Sequence, residues 1–319
     1  MTNKLLKVFL FTILFTSVVL NGTAIYILLF KVKKKEITHL FITSISLVNL
    51  LESLVEFIPL LLLVYSDASL IERTSLCIAS SFVVFGFAMS SITQQSMLSL
   101  IKIIVIKYPI FYHKTFKKMW IKAALITICY LYGFCWATFP LIGWSKYQLD
   151  IDKMRCSLDW NLTHPGSFFY FLTITIFCYL LPVIVISSTF YTGNKIIYGR
   201  KVSIARQNKN NQYINILEKD YLKVSFLSVT TFLIIWTPYL VTGILATLKI
   251  VIPKQLVTTA AMFSKLSTIT NTLINCFIIK SFRNHILDLK IVQCIRNKKN
   301  AAKIKPQPYY INCNYLRQT

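Results

Sequence analysis

The sequence predicts an all-α fold: a seven-transmembrane helix bundle with a short amphipathic membrane-surface helix after the seventh span. The first observation is composition, since 55% of the 319 residues are hydrophobic and 14% are charged, which is too apolar for a soluble domain of this size. The second is a set of seven apolar stretches, each long enough to cross about 30 Å of hydrocarbon at about 1.5 Å per residue. These stretches lie at about residues 7–30, 38–65, 76–106, 119–143, 167–193, 221–249 and 256–279.

The first apolar stretch begins almost at the first residue of the chain. It has neither a basic region followed by a short apolar core nor an Ala-x-Ala cleavage site, which are the marks of a secretory signal peptide. We therefore expect this stretch to be retained as a membrane span.

Lysine and arginine residues concentrate in alternate loops, which is the third observation. The basic segments lie at residues 31–35, 114–122, 195–223 and from 280 onward. The other loops are poorer in basic residues and hold Asp67, Glu72, Asp150, Asp152 and Asp159. By the positive-inside rule, the N-terminus is expected outside and the C-terminus in the cytoplasm of a multi-pass protein of the cell membrane. The net charge of +24 follows largely from this asymmetry, so anionic membrane lipid rather than nucleic acid is the expected contact.

Residues 1–290 are predicted to form one membrane domain. After Ile279 the chain reads Lys280-Ser281-Phe282-Arg283-Asn284-His285-Ile286-Leu287, a pattern typical of an amphipathic helix that lies along the inner leaflet. This surface helix is expected at residues 281–289. The remainder, 290–319, is predicted to be a disordered cytoplasmic tail.

A single lysine, Lys265, lies in the middle of the seventh apolar stretch, which contains no other charge. A cation at this depth costs a few kcal/mol or more, so an ionisable residue inside a membrane span indicates a functional site. A lysine amine can condense with an aldehyde to form a Schiff base. The sequence therefore suggests a covalent partner for Lys265.

Two of the eight cysteines lie where they could meet outside the membrane. Cys77 begins the third span at its outer end, and Cys156 lies in the second outer loop. Both would face an oxidising compartment and could pair. The same loop contains Asn161-Leu162-Thr163, a sequon that predicts glycosylation of Asn161.

Several helix motifs resemble those of the rhodopsin-like (class A) G-protein-coupled receptors. Asn21 lies where that family has its first-helix asparagine. Trp236-Thr237-Pro238-Tyr239 resembles the Trp-x-Pro-Tyr of the sixth helix, and Asn271-Thr272-Leu273-Ile274-Asn275 resembles a degraded Asn-Pro-x-x-Tyr. The resemblance extends over about residues 15–290 and implies a receptor.

Two further segments resemble the opsins within that family. Pro140-Leu141-Ile142-Gly143-Trp144-Ser145-Lys146-Tyr147, followed by Cys156, is similar to the opsin outer-loop pattern. Lys265 falls at the retinal-binding lysine, six residues before Asn271, and Phe282-Arg283-Asn284 matches the Phe-Arg-Asn after the seventh helix. The resemblance implies that retinal binds Lys265 as a Schiff base, that Cys77 pairs with Cys156, and that Trp236 and Tyr239 line the chromophore.

A protonated Schiff base inside a protein requires a nearby negative charge. The third-helix position that supplies it in many visual opsins is Ser80 here, which cannot ionise. Asp150 lies six residues before Cys156, where opsins with a loop-type counterion carry a carboxylate, and it is our first candidate. A solvated loop aspartate is the alternative, and Asp152 is close by.

Glu56 is the second counterion candidate. It lies seven residues, about two helical turns, after Asn49, so the two share a face. Asn49 occupies a position that usually faces inward in the resembled family, so Glu56 should also point inward. Glu52, one turn away, is expected to contact Asn49.

The predicted switch at the cytoplasmic side departs from the family pattern. The acidic-Arg-Tyr triplet of the third helix is Ile101-Lys102-Ile103, and lysine does not replace arginine at a fork-shaped contact. Glu218 at the start of the sixth helix could still pair with Lys102 as a point charge. Asn271 remains from the seventh-helix motif, whose proline and tyrosine are lost. These changes affect the parts that would contact a transducer.

The sequence thus favours a retinal-binding light receptor that signals through a heterotrimeric G protein. One alternative is a retinal photoisomerase with little signalling, which the altered switch motifs would suit. Another is a class A receptor for a diffusible ligand whose acidic group pairs with Lys265. No catalytic triad, metal-ligand cluster, phosphate loop or nucleic-acid module is evident, so the chain is not expected to be an enzyme.

Overall fold

A computed structural model of the chain describes residues 2–32, 36–65, 75–149, 156–160, 162–206 and 212–277. The surface helix predicted at 281–289 and the tail predicted at 290–319 lie outside these residues. The described chain is almost entirely helical, with one two-stranded antiparallel sheet.

The helices occur in the following order. They are α1 (Thr2–Tyr26), α2 (Ile37–Tyr65), α3 (Ser75–Lys107), α4 (Pro109–Phe116), α5 (Met119–Thr138), α6 (Ser167–Ile174), α7 (Leu181–Arg206), α8 (Gln212–Thr247) and α9 (Lys254–Thr272). Three π-helical segments extend or join them: Ile27–Lys31 after α1, Thr175–Leu180 between α6 and α7, and Leu273–Phe277 after α9.

These elements form the predicted bundle of seven spans. α6, its π-helical segment and α7 together make the fifth span, and α4 is a short additional helix whose first residue is Pro109, a favourable position for proline. By length and hydropathy, six of the spans within the described residues are apolar enough to cross a membrane. The seventh, α9, is the least apolar because it carries Lys265 among serine and threonine residues.

Large apolar side chains lie both inside the bundle and on its outer face. The core toward the end that holds α4 includes buried Ile27, Phe41, Leu98 and Cys276. Exposed aromatic and aliphatic residues cover the outside, among them Phe15, Phe30, Ile110, Trp120, Ile184 and Tyr191. An apolar outer surface suits contact with hydrocarbon. The backbone N–H and C=O groups are hydrogen-bonded within the helices, so they need no water there.

A small hairpin covers the other end of the bundle. β1 (Tyr147–Leu149) pairs antiparallel with β2 (Cys156–Leu158), with Tyr147 opposite Leu158. A disulfide joins Cys156 to Cys77 near the start of α3, with their Cα atoms 5.5 Å apart. The structure therefore contains the cysteine pair that the resemblance implied.

Two buried polar groups hold the hairpin in place. Asp159 is fully buried and accepts hydrogen bonds from Gln148 Nε2 (2.8 Å), Thr163 Oγ1 (3.0 Å), His164 N (2.9 Å) and Ser167 Oγ (3.1 Å). The Tyr147 hydroxyl donates to Ala137 O at 2.8 Å, and burial raises the pKa of this phenol. Asp159 thus ties the hairpin to the start of α6, while Tyr147 ties it to α5.

The close contact between α3 and α5 depends on Gly133. A Cβ added at this position would lie 2.5 Å from Ser90 N and 2.7 Å from Gly86 O, so Gly133→Ala must force the two backbones apart. We expect a loss of about 1–3 kcal/mol in the free energy of unfolding, the usual cost of overpacking. A lower melting temperature by circular dichroism would show it.

Gly22 provides the matched control, because it also lies inside a transmembrane helix and an added Cβ would meet nothing within 4 Å. Gly22→Ala should therefore be neutral or stabilise by up to about 1 kcal/mol. Equal melting temperatures for the two variants would contradict the proposed role of Gly133.

Candidate functional site

A largely apolar cavity lies inside the bundle beneath the hairpin. Including its open mouth, the space free of protein atoms is about 1040 Å³. The lining residues come from five spans and the hairpin, and they include Phe85, Ala88, Met89, Leu158, Trp160, Phe171, Trp236 and Tyr239. Three ionisable groups of unlike charge meet in its wall: Glu52, Glu56 and Lys265.

Lys265 reaches across the bundle from α9 to α2. It is 7% exposed, and its Nζ donates a hydrogen bond to Glu52 Oε1 at 2.9 Å. The same Nζ forms an ion pair with Glu56 Oε1. Because Glu52 and Glu56 are four residues apart, they lie on one face of α2, and α2 packs against α9. The cation predicted deep in the bundle therefore has two carboxylates as neighbours.

The expected contact between Glu52 and Asn49 is wrong. Glu52 lies one turn beyond Asn49 on α2, toward the hairpin. Its carboxylate contacts Lys265 rather than Asn49. Asn49 instead belongs to a separate polar network, in which its Nδ2 lies 3.4 Å from both Asn21 Oδ1 and Thr268 O. The sequence signal that would have identified Glu52 is its spacing from Glu56, since an inward-facing Glu56 brings Glu52 onto the same face.

Aromatic residues from the hairpin, α6 and α8 pack together over one side of the cavity. Trp236 and Tyr239 both line it, with their ring centroids 6.0 Å apart. The ring centroid of Trp160 lies 5.4 Å from that of Tyr239 and 4.8 Å from that of Phe171. Trp160 and Phe171 were not identified from the sequence, because their contribution depends on how the outer loop folds over the bundle.

The fifth span borders the cavity with its π-helical segment. Thr175, Cys178 and Tyr179 of Thr175–Leu180 are lining residues. A π-helical turn rotates the side chains that follow it, and such turns occur often at functional sites. No sequence pattern indicated this segment in advance.

Several predicted site residues lie beyond what the structure describes or away from the cavity. Asp150 and Asn161 are outside the described residues, as is the side chain of Glu218. Lys102 is half-buried on α3, and Asn271 is buried near the end of α9. Ser80 donates to Cys77 O at 3.1 Å, so this position holds a local hydrogen bond and supplies no charge.

The amine and the two carboxyl groups in the cavity wall could together bind an aldehyde covalently and balance the resulting charge. An amine at the wall of an apolar cavity can react with an aldehyde that enters the cavity. The carboxyl groups of Glu52 and Glu56 can then balance a positive charge on the same nitrogen. In the part of the chain that the structure describes, no group of three or more histidine, cysteine or acidic side chains is placed to bind a metal ion.

Comparisons with known proteins agree with this fold. The family model described as 7 transmembrane receptor (rhodopsin family) matches residues 20–278. The solved structure of squid rhodopsin superposes with a TM-score of 0.77 at 21% sequence identity, covering 95% of this chain and 86% of the squid chain. At this identity the structural match supports the fold.

Similar sequences include several opsins. Opsin-3 of Mus musculus is 29% identical over 272 residues, covering 82% of this chain and 66% of the mouse protein. The protein named "Rhodopsin, G0-coupled" of Mizuhopecten yessoensis is 26% identical over 218 residues, covering 67% and 54%. The visual pigment-like receptor peropsin of Homo sapiens is 26% identical over 165 residues, covering 51% and 48%. The matches thus span about half to two thirds of these relatives' lengths. The chain belongs to the rhodopsin-like (class A) family of seven-transmembrane receptors, and these similar sequences within it are opsins.

Proposed function

We propose that this protein is a light receptor that binds retinal covalently through Lys265 and signals through a heterotrimeric G protein. The observation that carries the proposal is the position of Lys265, whose buried amine lies in the wall of a largely apolar cavity between two carboxylates. A buried lysine with this access is suited to condense with an aldehyde. The similarity to opsins supports retinal as that aldehyde.

The cavity fits a long apolar ligand with one reactive end. Phe85, Trp160, Trp236 and Tyr239 offer aromatic surface, and Lys265 supplies the attachment point. Retinal, when bound, supplies absorption of light and a change of shape on isomerisation. Trp236 lies on α8 one turn from Tyr239 and two residues before Pro238, which interrupts the helix hydrogen bonds. Pressure on Trp236 would therefore be transmitted to the rest of α8.

Glu52 and Glu56 are proposed to stabilise positive charge on the Lys265 nitrogen. Both carboxyl groups contact Nζ directly, and low local dielectric strengthens such contacts. Asp150 stays a prediction as an additional loop counterion. The direct contact of both glutamates with Nζ supports assigning them the main counterion role.

The proposed orientation places the hairpin outside the cell. Disulfides persist in oxidising compartments, and Cys77–Cys156 lies at the hairpin end of the bundle. The basic segments are on the opposite side in the predicted topology, where anionic lipids of the inner leaflet would attract them. Glycosylation of Asn161 would be compatible with this orientation.

G-protein coupling is proposed from the receptor family and from relatives such as the G0-coupled rhodopsin. Lys102 would act as the cytoplasmic switch cation, with Glu218 as its partner and Asn271 linking the switch to α9. Arg200 Nη2 donates to Ile106 O, the carbonyl near the end of α3. This contact joins α3 to α7 at the end proposed to be cytoplasmic and would have to break if the helices separate.

The proposal is tested by expressing the chain, adding 11-cis-retinal in the dark, and recording the absorption spectrum before and after illumination. We expect a band that depends on retinal and that light alters. Light-dependent nucleotide exchange on added G protein would support signalling. A light-sensitive band with altered retinal isomers but no exchange would favour the photoisomerase, and a folded protein without any retinal-dependent band would favour a receptor for a diffusible ligand.

A further inference from the structure

If Glu52 and Glu56 were both ionised, their two negative charges would exceed the single positive charge of Lys265. One ammonium group faces two carboxyl groups, and Glu52 is 3% exposed while Lys265 is 7% exposed. Two carboxylates that share a buried site do not both ionise readily, because each disfavours the charge on the other. An unbalanced buried charge is strongly unfavourable.

Among the residues that line the described cavity, Lys265 is the only cation. The remaining ionisable side chains that line the cavity are Tyr147, Tyr179, Tyr239 and Cys178, and a phenol or a thiol cannot carry a positive charge. The neighbouring spans present neutral polar groups: Ser17 and Asn21 on α1, Ser81 and Ser91 on α3, and Ser264 and Thr268 on α9. The charge balance therefore has to be reached within the three groups themselves.

We infer that Glu52 and Glu56 act as a carboxyl pair that carries one proton when the Lys265 nitrogen is positively charged. The evidence is geometric: both carboxyl groups contact the same Nζ from adjacent turns of α2. With one proton on the pair, one carboxylate balances one ammonium and the site is neutral. The remaining carboxylic acid keeps a hydrogen-bonding role without adding charge.

The pair also provides an internal acceptor for the proton on Nζ. If the nitrogen gives up its proton, the N–H bond breaks and an O–H bond forms on the carboxylate. The nitrogen and both carboxyl groups are then neutral, so the total charge of the cavity does not change. This transfer needs no outside acid or base. A single carboxylate could accept the proton in the same way, so what distinguishes the pair is the proton that it already carries before the transfer.

The first test uses the full-length chain without retinal. Infrared spectroscopy detects the C=O stretch of a protonated carboxyl group, which shifts in D₂O. We expect the wild type to show such a band, and both Glu52→Gln and Glu56→Gln to lose it, since the remaining acid then ionises against Lys265. Glu36→Gln, which changes an exposed acid just before α2, should keep the band.

A band absent from the wild type would overturn the inference, because both acids would then be ionised. A band that survives unchanged in either single variant would also overturn it, because the acids would then ionise independently. The double variant Glu52→Gln/Glu56→Gln leaves Lys265 unpaired and should lower the melting temperature by more than the sum of the single changes. The infrared result on the single variants stands even if the double variant does not fold.

A second test, which rests on the proposed function, uses protein loaded with retinal. Each single variant should keep a visible band, whereas the double variant should absorb only in the near ultraviolet because no acid holds the proton. Loss of the visible band in one single variant alone would overturn the sharing. A wild type without any lysine-dependent band would refute the retinal proposal but would leave the infrared result on the carboxyl pair intact.

Discussion

Lys265→Ala is expected to abolish covalent uptake of retinal and to remove the visible absorption band completely. Among the residues that line the described cavity, Lys265 carries the only amine, and alanine cannot form a bond to an aldehyde. The change also leaves Glu52 and Glu56 without their cation. Breaking a buried ion pair costs about 3–5 kcal/mol when one partner is removed, unless both acids take up protons. The measurements are the absorption spectrum and the mass of the protein after retinal addition.

Lys265→Arg separates the chemistry from the stability. A guanidinium keeps the positive charge beside Glu52 and Glu56, so this variant should stay closer to the wild type in melting temperature. It should still form no retinal adduct, because the guanidinium is not a nucleophilic amine at neutral pH. Lys117→Ala, at an exposed lysine between α4 and α5, should behave as the wild type in both measurements. A lysine-dependent mass increase retained in Lys265→Ala would show that another amine binds retinal.

The seven-helix fold could be predicted from the sequence because length and hydropathy determine where a chain can cross a membrane. The interruptions within the spans could not be predicted in this way. The π-helical segment Thr175–Leu180 changes one turn of backbone hydrogen bonds without changing the apolar character of the span. The break is therefore visible only in the structure.

The candidate site was partly predictable. Lys265 is prominent in the sequence because a charge in an apolar span is rare, and the face shared with Asn49 correctly directed Glu56 inward. Glu52 was assigned to the wrong partner because helical periodicity gives the face of a side chain but not how far a lysine from another helix reaches toward it. The Nζ to Oε1 distance of 2.9 Å is set by the packing of α9 against α2.

Contributions from the outer loop were the hardest to anticipate. Trp160 enters the cavity wall because β2 is fixed between the disulfide at Cys156 and the buried Asp159. Neither the pairing of β1 with β2 nor the four hydrogen bonds to Asp159 follows from local periodicity, since they join residues from separate turns of the loop. Contacts of this kind within the loop determine the cover of the cavity.

Loss of the disulfide is expected to have the other large effect. Cys77→Ser/Cys156→Ser releases a constraint between residues that are 79 positions apart, and the chain-entropy model gives about 4.5 kcal/mol for a loop of this length. Measured losses for native disulfides are about 2–5 kcal/mol. We therefore expect a much lower yield of folded protein and a clear decrease in melting temperature.

The disulfide should also affect the site directly, because β2 carries Leu158 and precedes Trp160, both of which line the cavity. Without the bond to α3, the described contacts that still hold this cover include β1 pairing, the hydrogen bonds of Asp159 and the hydrogen bond from Tyr147 to Ala137 O. Retinal bound in the double variant should consequently react faster with hydroxylamine, a small water-soluble nucleophile, than in the wild type. Cys135→Ser, at an exposed free cysteine, is the control and should change neither stability nor the hydroxylamine rate. Unchanged rates in a folded double variant would mean that the hairpin covers the cavity without the disulfide, so that the hydrogen bonds of Asp159 and Tyr147 are sufficient to hold the cover.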